Sequence, residues 1–378
     1  MNQMEQNALP KEKYMDSVAG ICNVSQYLSR VSMYREQRQQ GDGIVVYRGE
    51  PDVYEKPCRP NIFRKNVLNG NVFFEKNLFD TMRQNKLTGE KRYLDNAIDA
   101  QHGEFPSRLL DVSYNCLIAL YFAVTPYYHY EEHSMDHKDG MVYLFFLDEI
   151  FSPSAKNIND NYGAIINRNQ EWYQNNSLFW NNHKFIDHTK LNSRIIAQQG
   201  AFILFPGDEP EELPEYQYCG IQIPREAKSR IRRELKQLFG IHTGSIYPEI
   251  INLVKELSGK SRKLNTREFT CENELLYLLE QLEKELAYYL DYAIEQRKSC
   301  QIDEILIHIE RRVDHYRRGI LEFLEYCRQK RQQRDDGSMP GQELLEKTVK
   351  QYNQSVQAFS DAIEEYHIGN FSGGTLQI

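Results

Sequence analysis

The sequence predicts an α+β protein: a mixed or antiparallel sheet core flanked by helices and followed by an α-helical bundle. Three observations carry this expectation. Short apolar runs at 44–47, 140–147, 201–205 and 216–223 are closed off by Gly, Pro or charged residues, as strands are. Between them lie segments whose apolar residues recur three and four apart, as in helices. From Thr270 onward the strand signals stop and heptad spacing takes over. A chain of 378 residues exceeds the size at which one hydrophobic core stops growing, so two main domains are expected, at 41–260 and 265–368. A helical segment at 1–40 precedes them, and a flexible tail at 369–378 follows.

Taken in order, 24–39 reads as a helix through Tyr27, Leu28, Val31 and Tyr34, and Gly41-Asp42-Gly43 stops it. The run 44–47 then reads as a strand that ends in Arg48-Gly49-Glu50-Pro51, leaving Arg48 at its tip. A guanidinium there suits a phosphate or carboxylate, whose oxygens its planar fork binds in pairs. A salt bridge to a neighbouring acid is the equal alternative. The stiff, basic loop 57–64 ends in Arg64 and is expected over the same place. Helices are expected at 73–84 and 92–100.

Next comes a dense polar cluster: Gln101, His102, Glu104, Arg108 and Asp111 within eleven residues. The run 109–124 that follows is apolar enough to be a buried helix. Arg108 is a second candidate anion clamp, and His102 with Asp111 is a candidate proton-handling pair. A purely structural network is the competing explanation. The region 151–192, rich in Asn and Tyr and holding Trp172 and Trp180, has no clear period. Beyond it, 201–205 reads as a strand with Gly200 allowing close approach at its start, and Pro224 opens a helix at 225–239 closed by Gly240.

Three heptad-spaced segments complete the chain. They run through Leu275 to Ala293, Ile302 to Phe323 and Leu345 to Tyr366. Short connections favour an intramolecular three-helix bundle over an oligomeric seam. The basic run 328–334 reads as a solvated helix end.

Composition bounds the function. A net charge of −8 advertises no broad nucleic-acid groove, although a local basic patch is compatible with it. No run approaches the ~18 consecutive apolar residues of a membrane span, and the first residues lack signal-peptide features, so the cytoplasm is the expected compartment. Seven scattered cysteines without a CxxC pair read as reduced thiols. His129, His133 and His137 stand four apart, but their surroundings read as a polar loop and no metal is expected. Phosphate-binding P-loops, nucleophile elbows and zinc-protease motifs are missing from the sequence.

Several stretches together resemble the FRG domain, a family widespread in bacteria. They are Tyr47-Arg48-Gly49, the loop Pro60-Asn61-Ile62-Phe63-Arg64, the block Gln101-His102 through Pro106-Ser107-Arg108-Leu109-Leu110-Asp111, and Ala197-Gln198-Gln199-Gly200-Ala201-Phe202. The resemblance covers roughly 44–250. Gly103-Glu104 departs from the family's Tyr-Gly, and Val112 replaces its usual Trp. The order of elements is in turn similar to ADP-ribosyltransferases. That similarity implies a split sheet and NAD as substrate, with Arg48, Gly49, Arg64, Gln101 and Arg108 on the substrate side. His102, Asp111, Gln198 and Glu249 would supply the chemistry. Gln198 falls where those enzymes carry a glutamate, so Asp111, Glu249 or Glu104 must bring the negative charge. A toxin or antiphage effector is the implied role, with the C-terminal helices serving self-association or a protein partner. The alternative is a non-catalytic module that binds a nucleotide or a protein.

Overall fold

The computed structural model describes residues 20–38, 43–87, 92–100, 105–127, 129–180, 182–188, 193–264, 266, 268–333 and 342–377. The chain divides into two compact units, Met1–Arg262 and Lys263–Ile378. The architecture is α+β, with a helical C-terminal region.

The first unit begins with α1 (Val24–Arg38), β1 (Ile44–Glu50), α2 (Asn61–Arg64), α3 (Phe74–Gln84) and α4 (Tyr93–Ala100). It continues with β2 (Leu109–Ser113), α5 (Cys116–Val124), β3 (Gly140–Leu147), α6 (Lys156–Ile166), α7 (Gln170–Asn175), α8 (Ser177–Trp180) and β4 (Lys184–Ile186). Then come α9 (Ser193–Gln198), β5 (Gly200–Leu204), β6 (Tyr218–Ile223), α10 (Arg225–Phe239), α11 (Thr243–Ile246) and α12 (Ile250–Ser261). The strands form one antiparallel sheet in the order β4-β5-β2-β1-β3-β6.

One joint in this sheet is weak. β1 pairs with β3 along all seven of its residues and β2 with β5 along all five, but β1 and β2 meet only at Tyr47↔Ser113. The sheet therefore opens between its two halves on one side of that pair.

The helices cover one face of each half separately. α1, α5 and α10 pack their apolar side chains on Tyr47, Val142, Leu144 and Ile221. α3, α4 and α6 bring Phe79, Leu94, Ile98 and Tyr162 onto Leu109, Phe202 and Leu204. β1 lies so close to α5 that a Cβ on Gly49 would stand 1.8 Å from the Ala119 carbonyl oxygen. Only glycine permits that approach.

One expectation is corrected here. The run 109–124 is not one helix: 109–113 is strand β2, and α5 starts only after Asn115, whose side chain accepts from the Leu117 amide as an N-cap. Both elements are buried, so the sequence lacks the polar face that separates period 2 from period 3.6. The featureless region 151–192 folds into α6, α7, α8 and β4.

The second unit consists of three helices, α13 (Cys271–Gln296), α14 (Ile302–Gln333) and α15 (Gln342–Glu365). Leu279, Leu282, Ile309, Val313, Ile320, Tyr352, Val356 and Ile363 meet in its core. Glu285 ties two helices by accepting from Arg312 Nε at 2.6 Å and from the Tyr316 hydroxyl at 2.6 Å. The segment after 368, expected as a flexible tail, is pinned to the bundle instead. Asn353 exchanges hydrogen bonds with the backbone of Leu376 at 2.7 and 2.9 Å, and Phe371 packs against Phe359. Apolar residues at both ends of the tail give it a seat that its polar, Gly-rich middle conceals. Among the described residues no helix is long and apolar enough to cross a membrane.

Candidate functional site

A cavity of about 250 Å³ lies where β1 and β2 part. Strand alternation sends Asp111 and Ser113 of β2 and Phe202 of β5 to one face of the sheet, at the gap between the two helix layers. Tyr127, which follows α5, Arg194 and Gln198 of α9, and Tyr247 beyond α11 close it from above.

Arg48 bridges the opening. Its Nη1 donates to the Asp111 carbonyl at 2.6 Å, replacing a strand-to-strand bond that the parted sheet cannot make. Its Nε donates to Glu50 at 3.1 Å. Burial disfavours the charge on Arg48, but Glu50, Cys58 and Asp111 together more than offset this and leave its pKa raised. Nη2 has no hydrogen-bond partner among the described residues, and Arg48 lines the cavity.

Asp111 carries the least satisfied charge here. Its side chain opens onto the cavity and takes no hydrogen bond from any described residue. The side chain is exposed to the cavity, and partial loss of water within it raises the carboxyl above the usual range; Arg48 and Arg194 hold it down only in part. Arg194 is itself buried between two rings, with its guanidinium carbon 5.3 Å from the centre of Tyr127 and 4.6 Å from that of Tyr247. Its Nη2 donates to the Tyr127 hydroxyl at 3.0 Å, and Glu249 stands 3.7 Å from Nη1. The buried Thr125 hydroxyl, also on the cavity wall, has no partner among the described residues.

Gln198 reaches the cavity because α9 ends in a tight turn. The turn is made by Gln199 in the left-handed region, φ 47°, and not by Gly200, where a Cβ would meet only ordinary contacts. Ser113 locks it by donating to the Gln198 carbonyl at 2.7 Å. The Gln198 side-chain amide donates to the Ile246 carbonyl at 3.3 Å.

The structure thus brings Arg48, Gly49, Asp111 and Gln198 to one cavity, with Glu249 behind Arg194. Two expected clamps go elsewhere. Arg108 is 1% exposed and spends its donors on protein: Nε on Glu75 at 2.8 Å, Nη1 on the Pro206 carbonyl at 3.1 Å and on the Gly207 carbonyl, Nη2 on Asp208 at 3.0 Å. Buried in this way, it presents no open face to a ligand. Its ionic partners are Glu75 and Asp208. Arg64 binds Glu50 at 2.6 Å and its own loop at Arg59 O, and lies outside the cavity lining. Gln101, His102 and Glu104 lie outside the described residues. Sequence reasoning did not single out Arg194, Tyr127, Tyr247 or Thr125; Arg194 sits four residues before Gln198, a helical spacing that links them once α9 is known.

The fold and cavity define an α+β domain with a parted antiparallel sheet and a cationic, aromatic-walled pocket. Residues 43–132 match the family model of the FRG domain. The match includes Arg48, Arg64, Arg108 and Asp111 and ends before Gln198. Comparison with curated proteins and with solved structures gives no match.

Proposed function

We propose that the chain is an NAD-directed enzyme, of ADP-ribosyltransferase or NAD glycohydrolase type, working in the cavity between β1 and β2. One observation carries this reading: a carboxylate, Asp111, that opens onto the cavity, takes no hydrogen bond from any described residue and is flanked by Arg48 and Arg194. Perturbed acids in clefts mark functional sites more often than structural ones.

The chemistry follows from charge. When the bond between ribose C1′ and the nicotinamide nitrogen breaks, its electron pair leaves with nicotinamide and positive charge builds at C1′. The Asp111 anion stabilises that charge, and water or an acceptor hydroxyl then adds to C1′ and gives up its proton. Arg48 Nη2 and Arg194 take the pyrophosphate oxygens, and the Gln198 carbonyl oxygen accepts from a ribose hydroxyl. At about 250 Å³ the cavity is slightly smaller than the roughly 300–1,000 Å³ of typical small-molecule sites, which suits the nicotinamide ribose end of the dinucleotide. An enzyme that consumes NAD in this way suits a toxin or antiphage effector, with the helical unit serving assembly or regulation.

A second reading, a nucleotide-binding module without turnover, draws on the uncharged Gln198 at the late position. One experiment separates the two. Purified protein is incubated with NAD, free nicotinamide is measured by chromatography, and NAD binding by calorimetry. The enzyme reading expects release that falls about 100-fold or more in Asp111→Asn and in Arg48→Ala. Binding with only background release, equal in all three proteins, favours the module; neither binding nor release removes NAD from both.

A further inference from the structure

A second cavity, of about 200 Å³, lies away from the first. Its floor is aromatic and aliphatic: Phe205 at the end of β5, Leu213 and Tyr218. One wall is the segment 54–59 after β1. Four glutamates, Glu55, Glu211, Glu212 and Glu215, stand on its rim against Lys56 and Arg59. His183, edge-on to Phe205 at 4.4 Å, adds no positive charge, because burial pushes its imidazole down to about 4.

This wall is connected to the first cavity through Glu50, which is 1% exposed. Its Oε1 accepts from Arg48 Nε at 3.1 Å, from Arg64 Nη2 at 2.6 Å and from the Cys58 amide at 3.3 Å. Cys58 lines the second cavity, and the Arg64 guanidinium stacks 4.4 Å from the ring centre of Tyr54, which lines it too. Any ligand that shifts Tyr54 or Cys58 therefore changes how Glu50 holds Arg48. A buried carboxylate with three donors has no water to compensate a lost bond, so the change passes to its partners.

We propose that the second cavity binds a small organic cation with an aromatic or branched apolar body, and that its occupancy is sensed at Arg48 through Glu50. The apolar floor takes the body and the glutamate rim takes the charge. This site is independent of the NAD reading, since Glu50 would orient Arg48 whatever the first cavity holds.

The test uses 2-phenylethylamine as probe and phenylacetate as its anionic counterpart. Both are titrated into the full chain by calorimetry and, with arginine labelled by ¹⁵N, by following the Arg48 Nε–H signal, assigned through R48K. Saturable binding of the amine and none of the acid is expected. E212Q/E215Q should weaken the amine about fivefold without lowering the unfolding temperature, because both side chains are exposed. D111N, in the other cavity, should leave the curve in place, and the Arg48 signal should move along it. Absence of saturation, equal binding of phenylacetate, or loss of binding in D111N overturns the site. Binding with a stationary Arg48 signal overturns the link through Glu50.

Discussion

Arg108 and Asp111 are neighbours in the sequence and do opposite work. Arg108 joins the start of β2 to α3 through Glu75 and to the end of β5 through Pro206, Gly207 and Asp208, of which only Asp208 is partly exposed. Arg108→Ala would remove the guanidinium from Glu75 and leave that buried carboxylate only the Tyr162 hydroxyl and the residue-108 amide, so a loss of about 3–5 kcal/mol in urea unfolding is expected. Asp111 has the reverse profile. The folded state holds its proton more tightly than the unfolded chain does, so its contribution to stability is full below the ordinary carboxylate pKa and is lost as pH rises through the raised value. At neutral pH Asp111→Asn is expected to melt at the same temperature as the parent or a few degrees higher, with the difference vanishing in acid; a lower melting temperature at pH 7 would contradict the unpaired carboxylate. In the parent, nicotinamide release should rise with pH through that same raised pKa, since only the anion stabilises C1′. The sequence shows both residues as one polar cluster. Nothing local distinguishes an arginine whose partners lie 33 and 100 residues away from a carboxylate with none.

The element that sets the site is β1 with the helix packed on it. Strands 44–47, 140–147 and 201–205 are legible because each is a short apolar run between breakers, and the long helices because their apolar stripe is clean. β2 and α5 merge in the sequence because both are buried all round, and the one signal of their boundary is Ser113-Tyr114-Asn115, a turn and an N-cap. β4 is three residues long and pairs with β5 and, at a single bridge, with Phe151, too little pattern to read. Gly49, expected as a ligand contact, earns its place by letting β1 touch α5. In Gly49→Ala the new methyl meets the Ala119 carbonyl and the Ala123 amide, so the helix must lift off the strand. A cost of about 3 kcal/mol or more is expected in chemical unfolding, at the upper end of overpacking effects. An unchanged midpoint would mean that the contact is softer than the backbone geometry states.

At the scale of the whole chain, each unit closes a core of its own. The heptads legible from Thr270 onward are satisfied within one chain by α13, α14 and α15, and the tail completes that core with Ile368 and Leu376. The cavities and the Arg48 network lie entirely within the first unit. Two cores of this kind need not melt together. Differential scanning calorimetry of the full chain is expected to show two transitions. Ile320, fully buried among α13, α14 and α15, offers the means to assign them. Ile320→Asp places an unpaired charge in the bundle core, a loss of several kcal/mol that should lower or abolish one transition. The other transition, belonging to 1–262, should keep its temperature, and NAD binding there should keep its affinity. If both transitions fall together, the two cores unfold as one cooperative system, and the helical unit is part of what stabilises the cavity.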